Sequence, residues 1–164
     1  MRSRVDKNGN WRSFRHRNFR ILFPANALSN IGSWAQRVAQ DWLVLELTNN
    51  SGAALGAVTA VQFAPVLLFS LHGGALADRV NKRKLLIATN FFAGLSSIVI
   101  GLLVITENIQ LWHVFVGGAF LGVVTALDAP IRQAFTSELV GHSDVANAVS
   151  LNSANFNAGR LVGP

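Results

Sequence analysis

The chain has 164 residues, of which 51% are hydrophobic and only 13% are charged, and its mean hydropathy is +0.36. A soluble domain carries about 25% charged residues, so this composition indicates a membrane protein. Cysteine is absent, which excludes disulfides and thiolate metal sites. The net charge of +6 would by itself suggest nucleic acid as a partner, but the uncharged stretches are too long and too apolar for a soluble core.

Residues 1–18 form a basic tail ahead of the first apolar segment. The tail contains the basic residues Arg2, Arg4, Lys7, Arg12, Arg15 and Arg17, and Arg20 follows directly after it. We expect a disordered, solvated arm, which can also contact anionic lipid head groups at about 1 kcal/mol per basic residue. We expect no secretory signal peptide, because Asn26, Ser29 and Asn30 interrupt the candidate apolar core and Pro24 lies near its start.

Residues 19–164 are predicted to contain four membrane-spanning helices and the start of a fifth. A spanning helix needs roughly 20 mostly apolar residues. The segments that meet this length, or reach it with a few charged residues, are 20–46, 52–77, 84–106, 111–132 and the final 145–164. The sequence therefore predicts an all-α membrane protein whose main partner is the lipid bilayer.

The basic residues between the spans fall on one side. The link after the second span carries Arg79, Lys82, Arg83 and Lys84, whereas the links 48–51 and 106–110 contain neither lysine nor arginine. An excess of positive charge marks the cytoplasmic side of a membrane. We therefore predict a cytoplasmic N-terminus in a plasma membrane of bacterial type.

The first predicted span carries a stripe of polar residues on one face. At 100° per residue they follow one another every three or four positions: Asn26, Asn30, Ser33, Arg37, and then Gln40 or Asp41. A polar stripe that faced lipid would cost roughly several kcal/mol, because nothing there could satisfy its hydrogen bonds, so it must face other helices or water. Arg37 and Asp41 either form a structural ion pair or belong to a substrate or proton site. The sequence leaves both open.

Small residues recur every fourth position in two of the spans. The second span has Gly52, Gly56, Ala60 and Ala64, and the fourth has Gly118, Gly122 and Ala126. Such ladders let helix backbones approach closely. Both ladders are therefore predicted to be helix-packing faces.

The link between the second and third spans resembles a signature of the major facilitator superfamily, Gly-x-Leu-Ala-Asp-Arg-x-Gly-Arg-Arg/Lys. The matching residues, in order and spacing, are Gly74, Leu76, Ala77, Asp78, Arg79, Lys82 and Arg83. Asn81 replaces the second glycine of the signature. Because asparagine tolerates the left-handed conformation, we expect the turn to be kept.

The resemblance implies an inner gate. In this superfamily the acid of the signature and the basic residue four positions later join an acid in the fourth helix, which corresponds to Asp78, Lys82 and Asp128. Arg132, one turn after Asp128, would extend the network. The alternative is that Asp128 and Arg132 pair only with each other.

A second resemblance lies at the end of the sequence. Gly159, Gly163 and Pro164 match the start of the Gly-x-x-x-Gly-Pro-x-x-Gly-Gly motif in the fifth helix of superfamily antiporters. The motif implies an exporter. Arg160, between these glycines, is predicted to lie within the membrane and, with Asn30, Arg37 and Asp41, is a candidate for the cavity or for proton coupling.

Two longer stretches, NFRILFPANALSNIGSWAQRVAQDWLVLELT and LDAPIRQAF, resemble the branch containing enterobactin and macrolide exporters. This implies efflux of a drug or siderophore-like small molecule, with the proton as coupling ion and no other cofactor. No catalytic constellation or phosphate-binding loop occurs, so we expect no enzyme.

Since the superfamily fold has two six-helix halves, the chain is expected to be an N-terminal fragment that needs the missing C-terminal helices. The alternatives are a self-contained small membrane protein, such as a dimeric efflux subunit or assembly factor, and an importer of the same fold.

Overall fold

The computed structural model describes residues 12–77, 80–141 and 144–164, with side chains from Ser13 onward except in 70–77. This part of the chain is helical. After a short 3-10 helix, Arg12–Arg15, come five α-helices: α1 (Arg17–Leu47), α2 (Gly52–Ala77), α3 (Lys82–Ile105), α4 (Leu111–Val140) and α5 (Val145–Val162).

Left-handed backbone angles occur in the links between the helices, mainly at asparagine and glycine. Asn49 and Asn50 turn the chain from α1 into α2 with φ of 51° and 62°, and Gly141 ends α4 with φ of 70°. Asparagine and glycine tolerate these left-handed angles better than other residues. These residues therefore allow the chain to turn where α1 and α4 end.

Asn81 has a different role from the one expected of it. Its φ of −71° and ψ of 99° are extended rather than left-handed, and its side chain accepts a 3.0 Å hydrogen bond from the main-chain N–H of Lys84. The expectation of a left-handed turn was wrong. Asn81 caps the N-terminus of α3, a position for which asparagine is among the best residues.

Three helices are long and apolar enough to cross a membrane within the described residues: α2 over Gly52–Phe69, α3, and α4. On α3 one face exposes a stripe of large apolar side chains at the spacing of a helix. They are Ile87, Phe91, Leu95, Ile98, Leu102 and Ile105. An exposed apolar stripe of this length is the surface that lipid tails would contact. The chain is thus an all-α membrane protein.

Two compact units divide the described chain, and the boundary between them falls within α1 and α4. In the unit Ala35–Arg132, the core is formed by Val44, Val58 and Val114, one from each of α1, α2 and α4. All three side chains are fully buried.

The other unit combines residues up to Trp34 with Gln133–Pro164. Its core is Phe19, Val140 and Ala148. Phe14 and Phe23 pack on this core, and their ring centroids lie 5.0 Å apart in an edge-to-face arrangement. Aromatic rings favour this geometry because the positive edge of one faces the negative face of the other.

The end of the basic tail is not a solvated arm. Ser13 is fully buried, and its hydroxyl donates a 2.9 Å hydrogen bond to Oδ1 of Asn147 at the start of α5. Next to it, Nε2 of His16 lies 3.2 Å from a carboxylate oxygen of Asp144. The expectation of a disordered arm was wrong for residues 13–18, because these polar partners could not be recognised in the sequence. Residues 1–11 lie outside the described part.

The two small-residue ladders have different surroundings. Gly118, Gly122 and Ala126 of α4 are buried, and Gly122 lies against α2. Gly52 and Gly56 of α2 are exposed, and a Cβ added at either would have no neighbour within 4 Å. Among the described residues the ladder of α2 therefore meets no neighbour, and its role as a packing face stays a prediction, because spacing alone does not say which helix it meets.

Candidate functional site

Asp128 on α4 is the centre of a polar cluster. Its Oδ2 accepts a 2.7 Å hydrogen bond from Nε of Arg132, and its Oδ1 accepts a 2.7 Å hydrogen bond from the hydroxyl of Thr89 on α3. Both carboxylate oxygens are therefore occupied, one by a charged donor of its own helix and one by a neutral donor of a neighbouring helix. Hydrogen bonds to an ionised group are roughly twice as strong as neutral ones.

Regular helix geometry and apolar packing bring these groups together. Asp128 and Arg132 are four residues apart, which places them on one face of α4. Further along, the rings of Phe92 and Phe120 meet edge to face at 6.3 Å, so α3 and α4 are in contact. Thr89 is only 5% exposed, which keeps water away from its bond to Asp128.

The basic residues of the signature lie at the start of α3. Lys82 is the first residue of the helix and is half-buried, while Arg83 is exposed. Lys82 precedes Thr89 by seven residues, or two turns, so both lie on the same face of α3. Lys82 thus belongs to the face that contacts Asp128, although the Lys82–Asp128 pair itself stays a prediction.

The rest of the signature is only partly described. Gly74 and Leu76 lie in the last two turns of α2, where the backbone alone is described, and Asp78 and Arg79 lie outside the described residues. The structure therefore brings Asp128 and Arg132 together and adds Thr89. It does not test the position of Asp78.

The polar stripe of α1 meets other helices at several positions. The guanidinium of Arg37 lies 5.9 Å from the ring centroid of Phe63 on α2. The Nε2 atom of Gln40 is buried, and it lies 3.3 Å from where a Cβ at Gly118 of α4 would be. Asp41 is exposed one turn after Arg37. The stripe therefore contacts α2 and α4, whereas Asp41 remains accessible.

A groove of about 420 Å³ separates α1 from α3 near the end of α1. Its floor includes a hydrogen bond of 2.7 Å from the hydroxyl of Ser97 to Oε1 of Gln36. Trp42 and Glu46 are exposed at its edge. Among the described residues, no group of histidine, aspartate and glutamate side chains is arranged to hold a metal ion.

The antiporter-like glycines position α5 on the first half of α1. A Cβ at Gly159 would lie 2.9 Å from the Cβ of Asn30, and one at Gly163 would lie 2.7 Å from the carbonyl oxygen of Ile31. Arg160 is exposed beside them, and its guanidinium stacks 5.6 Å from the ring centroid of Trp34. Pro164 follows α5 and is exposed.

Residues 8–164 match the family of transmembrane secretion effectors, a branch of the major facilitator superfamily. The chain belongs to this family. A curated relative, the staphyloferrin A transporter of Staphylococcus aureus, is 28% identical over 146 residues, which are 88% of this chain and 36% of the relative. The chain therefore spans about a third of the length of this relative. No solved structure matches the chain.

Membership in the transmembrane secretion effector family accounts for the apolar helices with few buried charges. The relative is a transporter by name, and the family belongs to the major facilitator superfamily. Among the described residues, the cluster around Asp128 joins α3 and α4 through a charged group.

Three polar side chains that join helices were not predicted from the sequence: Thr89 beside Asp128, and Ser97 and Gln36 in the groove. Thr89 and Ser97 lie in the third apolar span, and Gln36 lies beside the recognised stripe of α1. Hydroxyl groups in an apolar span are a signal in themselves, because in lipid they need an acceptor. Their partners, however, lie on other helices and could not be assigned from spacing.

Proposed function

We propose that this protein functions in the proton-coupled export of a small, drug-like or siderophore-like molecule across the membrane. Membership in the transmembrane secretion effector family supports export. The similarity to a staphyloferrin A transporter supports a substrate of that chemical kind.

The observation that carries the proposal is the charged cluster where α3 begins and α4 approaches its end. With the N-terminus in the cytoplasm, as the basic residues of the links favour, this cluster lies at the cytoplasmic ends of both helices. Arg132 neutralises Asp128 at 2.7 Å, and Lys82 lies on the same face of α3 as Thr89. A carboxylate with alternative cationic partners forms a gate that opens and closes without leaving a buried charge unpaired.

The polar stripe of α1 supplies the candidate groups for proton coupling. Ionisable side chains within a membrane are costly and are usually functional. Arg37 and Asp41 lie one turn apart, and Asn30 lies on the same stripe beside Gly159 of α5. Asp41 is the proposed proton carrier, since it is the carboxylate of this stripe and is exposed.

The proposal is tested with inside-out membrane vesicles from cells that express the intact gene. A proton gradient is generated and followed with a pH-sensitive dye while staphyloferrin A, enterobactin or a macrolide is added. We expect at least one of these compounds to dissipate the gradient and to accumulate in the vesicles, and an uncoupler to abolish the accumulation. Vesicles lacking the protein are the control.

Each alternative predicts a different outcome. Accumulation only in right-side-out vesicles would identify an importer. Accumulation that persists in the presence of an uncoupler would exclude proton coupling. If none of the three compounds accumulates in vesicles that contain folded protein, the proposed substrate class is wrong.

A further inference from the structure

The hydroxyl of Thr89 has two acceptors within reach. It lies 2.7 Å from Oδ1 of Asp128 on α4 and 3.1 Å from the carbonyl oxygen of Leu86 on its own helix. A hydroxyl carries a single proton and can donate it to only one of them. The nearer, ionised acceptor is the better one, so in this structure Thr89 donates to Asp128.

The second acceptor makes this bond easy to exchange. If Asp128 moves away, rotation about one side-chain bond lets the hydroxyl donate to Leu86 instead. A buried donor left without an acceptor is unfavourable, and Thr89 is 5% exposed. Because Leu86 is available, the separation of α3 from Asp128 leaves no orphaned donor on α3.

We propose that Thr89 is a positioning residue for the gate, which fixes the carboxylate of Asp128 when the cytoplasmic side is closed and releases it when that side opens. This rests on the proposed transport function. Thr89 acts through Asp128 and contacts no substrate. The hydroxyl of Thr89 holds Oδ1 of Asp128, so that Oδ2 faces Arg132. It thereby sets the orientation that the carboxylate presents to a cation arriving from α3.

A hydroxyl with one acceptor on another helix and one on its own recurs once on α3, at Ser97. It is absent at Thr59 on α2. The hydroxyl of Ser97 lies 2.7 Å from Oε1 of Gln36 on α1 and 2.9 Å from the carbonyl of Ala93 on its own helix. The hydroxyl of Thr59, by contrast, donates at 2.9 Å to Leu55 within α2 and is exposed. Thr59 is therefore the control for a hydroxyl with an acceptor on its own helix.

The test measures how accessible the cytoplasmic end is, independently of transport. Leu86, which is buried one turn before Thr89 on α3, is replaced by cysteine, and this chain contains no other cysteine. The labelling rate with a membrane-impermeant maleimide is measured in inside-out vesicles carrying the full protein. Thr89→Val, which keeps the shape but not the hydroxyl, is expected to raise the rate about tenfold, the factor expected of one hydrogen bond to a carboxylate. Thr89→Ser should restore the original rate, and Thr59→Val should leave it unchanged.

A double variant shows whether Thr89 acts through Asp128. Asp128→Ala alone, which removes the acceptor, should also raise the labelling rate, and adding Thr89→Val should then change it little, because coupled groups are not additive. Equal rates for Thr89→Val and Thr59→Val would overturn the proposal, as would a full additional effect in the Asp128→Ala background. If Thr89→Val does not accumulate in the membrane, failure of Asp128→Ala to raise the rate would overturn it instead. Absence of substrate flux in every variant, with the labelling pattern intact, would refute the proposed export but not this role.

Discussion

Gly122 on α4 lies directly against the main-chain carbonyl of Gln62 on α2. A Cβ at this glycine would overlap the carbonyl oxygen and would also lie 3.1 Å from Cγ of Pro65. Without a side chain, the two backbones approach closely, which gives the dispersion contacts that hold helices together in lipid. This contact belongs to the unit that also contains Asp128, so it helps to position the cluster.

Gly122→Ala should destabilise the protein. The added methyl group meets backbone rather than a flexible side chain, so relief requires the helices to separate, and overpacking of this kind costs about 1–3 kcal/mol. The measurement is the midpoint of thermal unfolding in detergent, monitored by size-exclusion chromatography. Gly94→Ala on α3 is the control, because a Cβ there has no neighbour within 4 Å. An unchanged midpoint for Gly122→Ala would contradict the close contact.

Gly159→Ala should separate α5 from α1. Its Cβ would lie 2.9 Å from that of Asn30, and the backbone of Asn30 is almost as near, at 3.1 Å. We expect lower stability and, in the transport assay, slower export with retained substrate binding, since the helices can no longer pack at their native distance. Gly32→Ala on α1 should behave like the unmodified protein, because a Cβ there meets nothing within 4 Å. Similar effects of the two substitutions would mean that the glycine of α5 is not needed for packing.

Asn147→Ala should release the end of the basic tail from α5. Oδ1 of Asn147 accepts hydrogen bonds from both the main-chain N–H and the hydroxyl of Ser13, at 3.1 and 2.9 Å. Their loss leaves a buried main-chain donor unpaired, which costs about 1–3 kcal/mol. Limited trypsin digestion should therefore cleave more rapidly after Arg15 and Arg17.

The control is on the same helix. Asn157 is exposed and its amide donates to Ser153 one turn earlier, so Asn157→Ala should leave the digestion rate unchanged. Equal protection of the tail in the Asn147→Ala variant would show that the apolar packing of Phe14 is sufficient.

Asp41→Asn should abolish proton-coupled accumulation while the protein is still made and folded. The amide keeps the size of the side chain but cannot bind and release a proton. Glu46→Gln, five residues further along α1, is the control, since Glu46 is exposed at the edge of the groove rather than on the polar stripe. Vesicle accumulation and the amount of folded protein are measured together. Loss of folded protein alone would favour a structural ion pair between Arg37 and Asp41.

Some features could be predicted from the sequence because they depend only on residues that are close together along the chain. The uncharged stretches predicted the helices, since roughly 20 apolar residues are needed to cross a membrane whatever lies around them. The spacing of Asp128 and Arg132 predicted their pairing, because residues four apart share a helix face. The signature after α2 identified the superfamily, and the family match agrees with it.

Other features were decided only by tertiary structure, because they depend on which helix faces meet. The ladders of α2 and α4 have the same spacing, but only the one on α4 lies against a neighbour among the described residues. Asn81 stands where a turn glycine was expected, yet the start of α3 makes it a cap. The link from Thr89 to Asp128 joins residues 39 positions apart, and its 2.7 Å distance exists only because α3 and α4 are packed together. Helix periodicity identifies the face on which a side chain lies, whereas packing selects its partner.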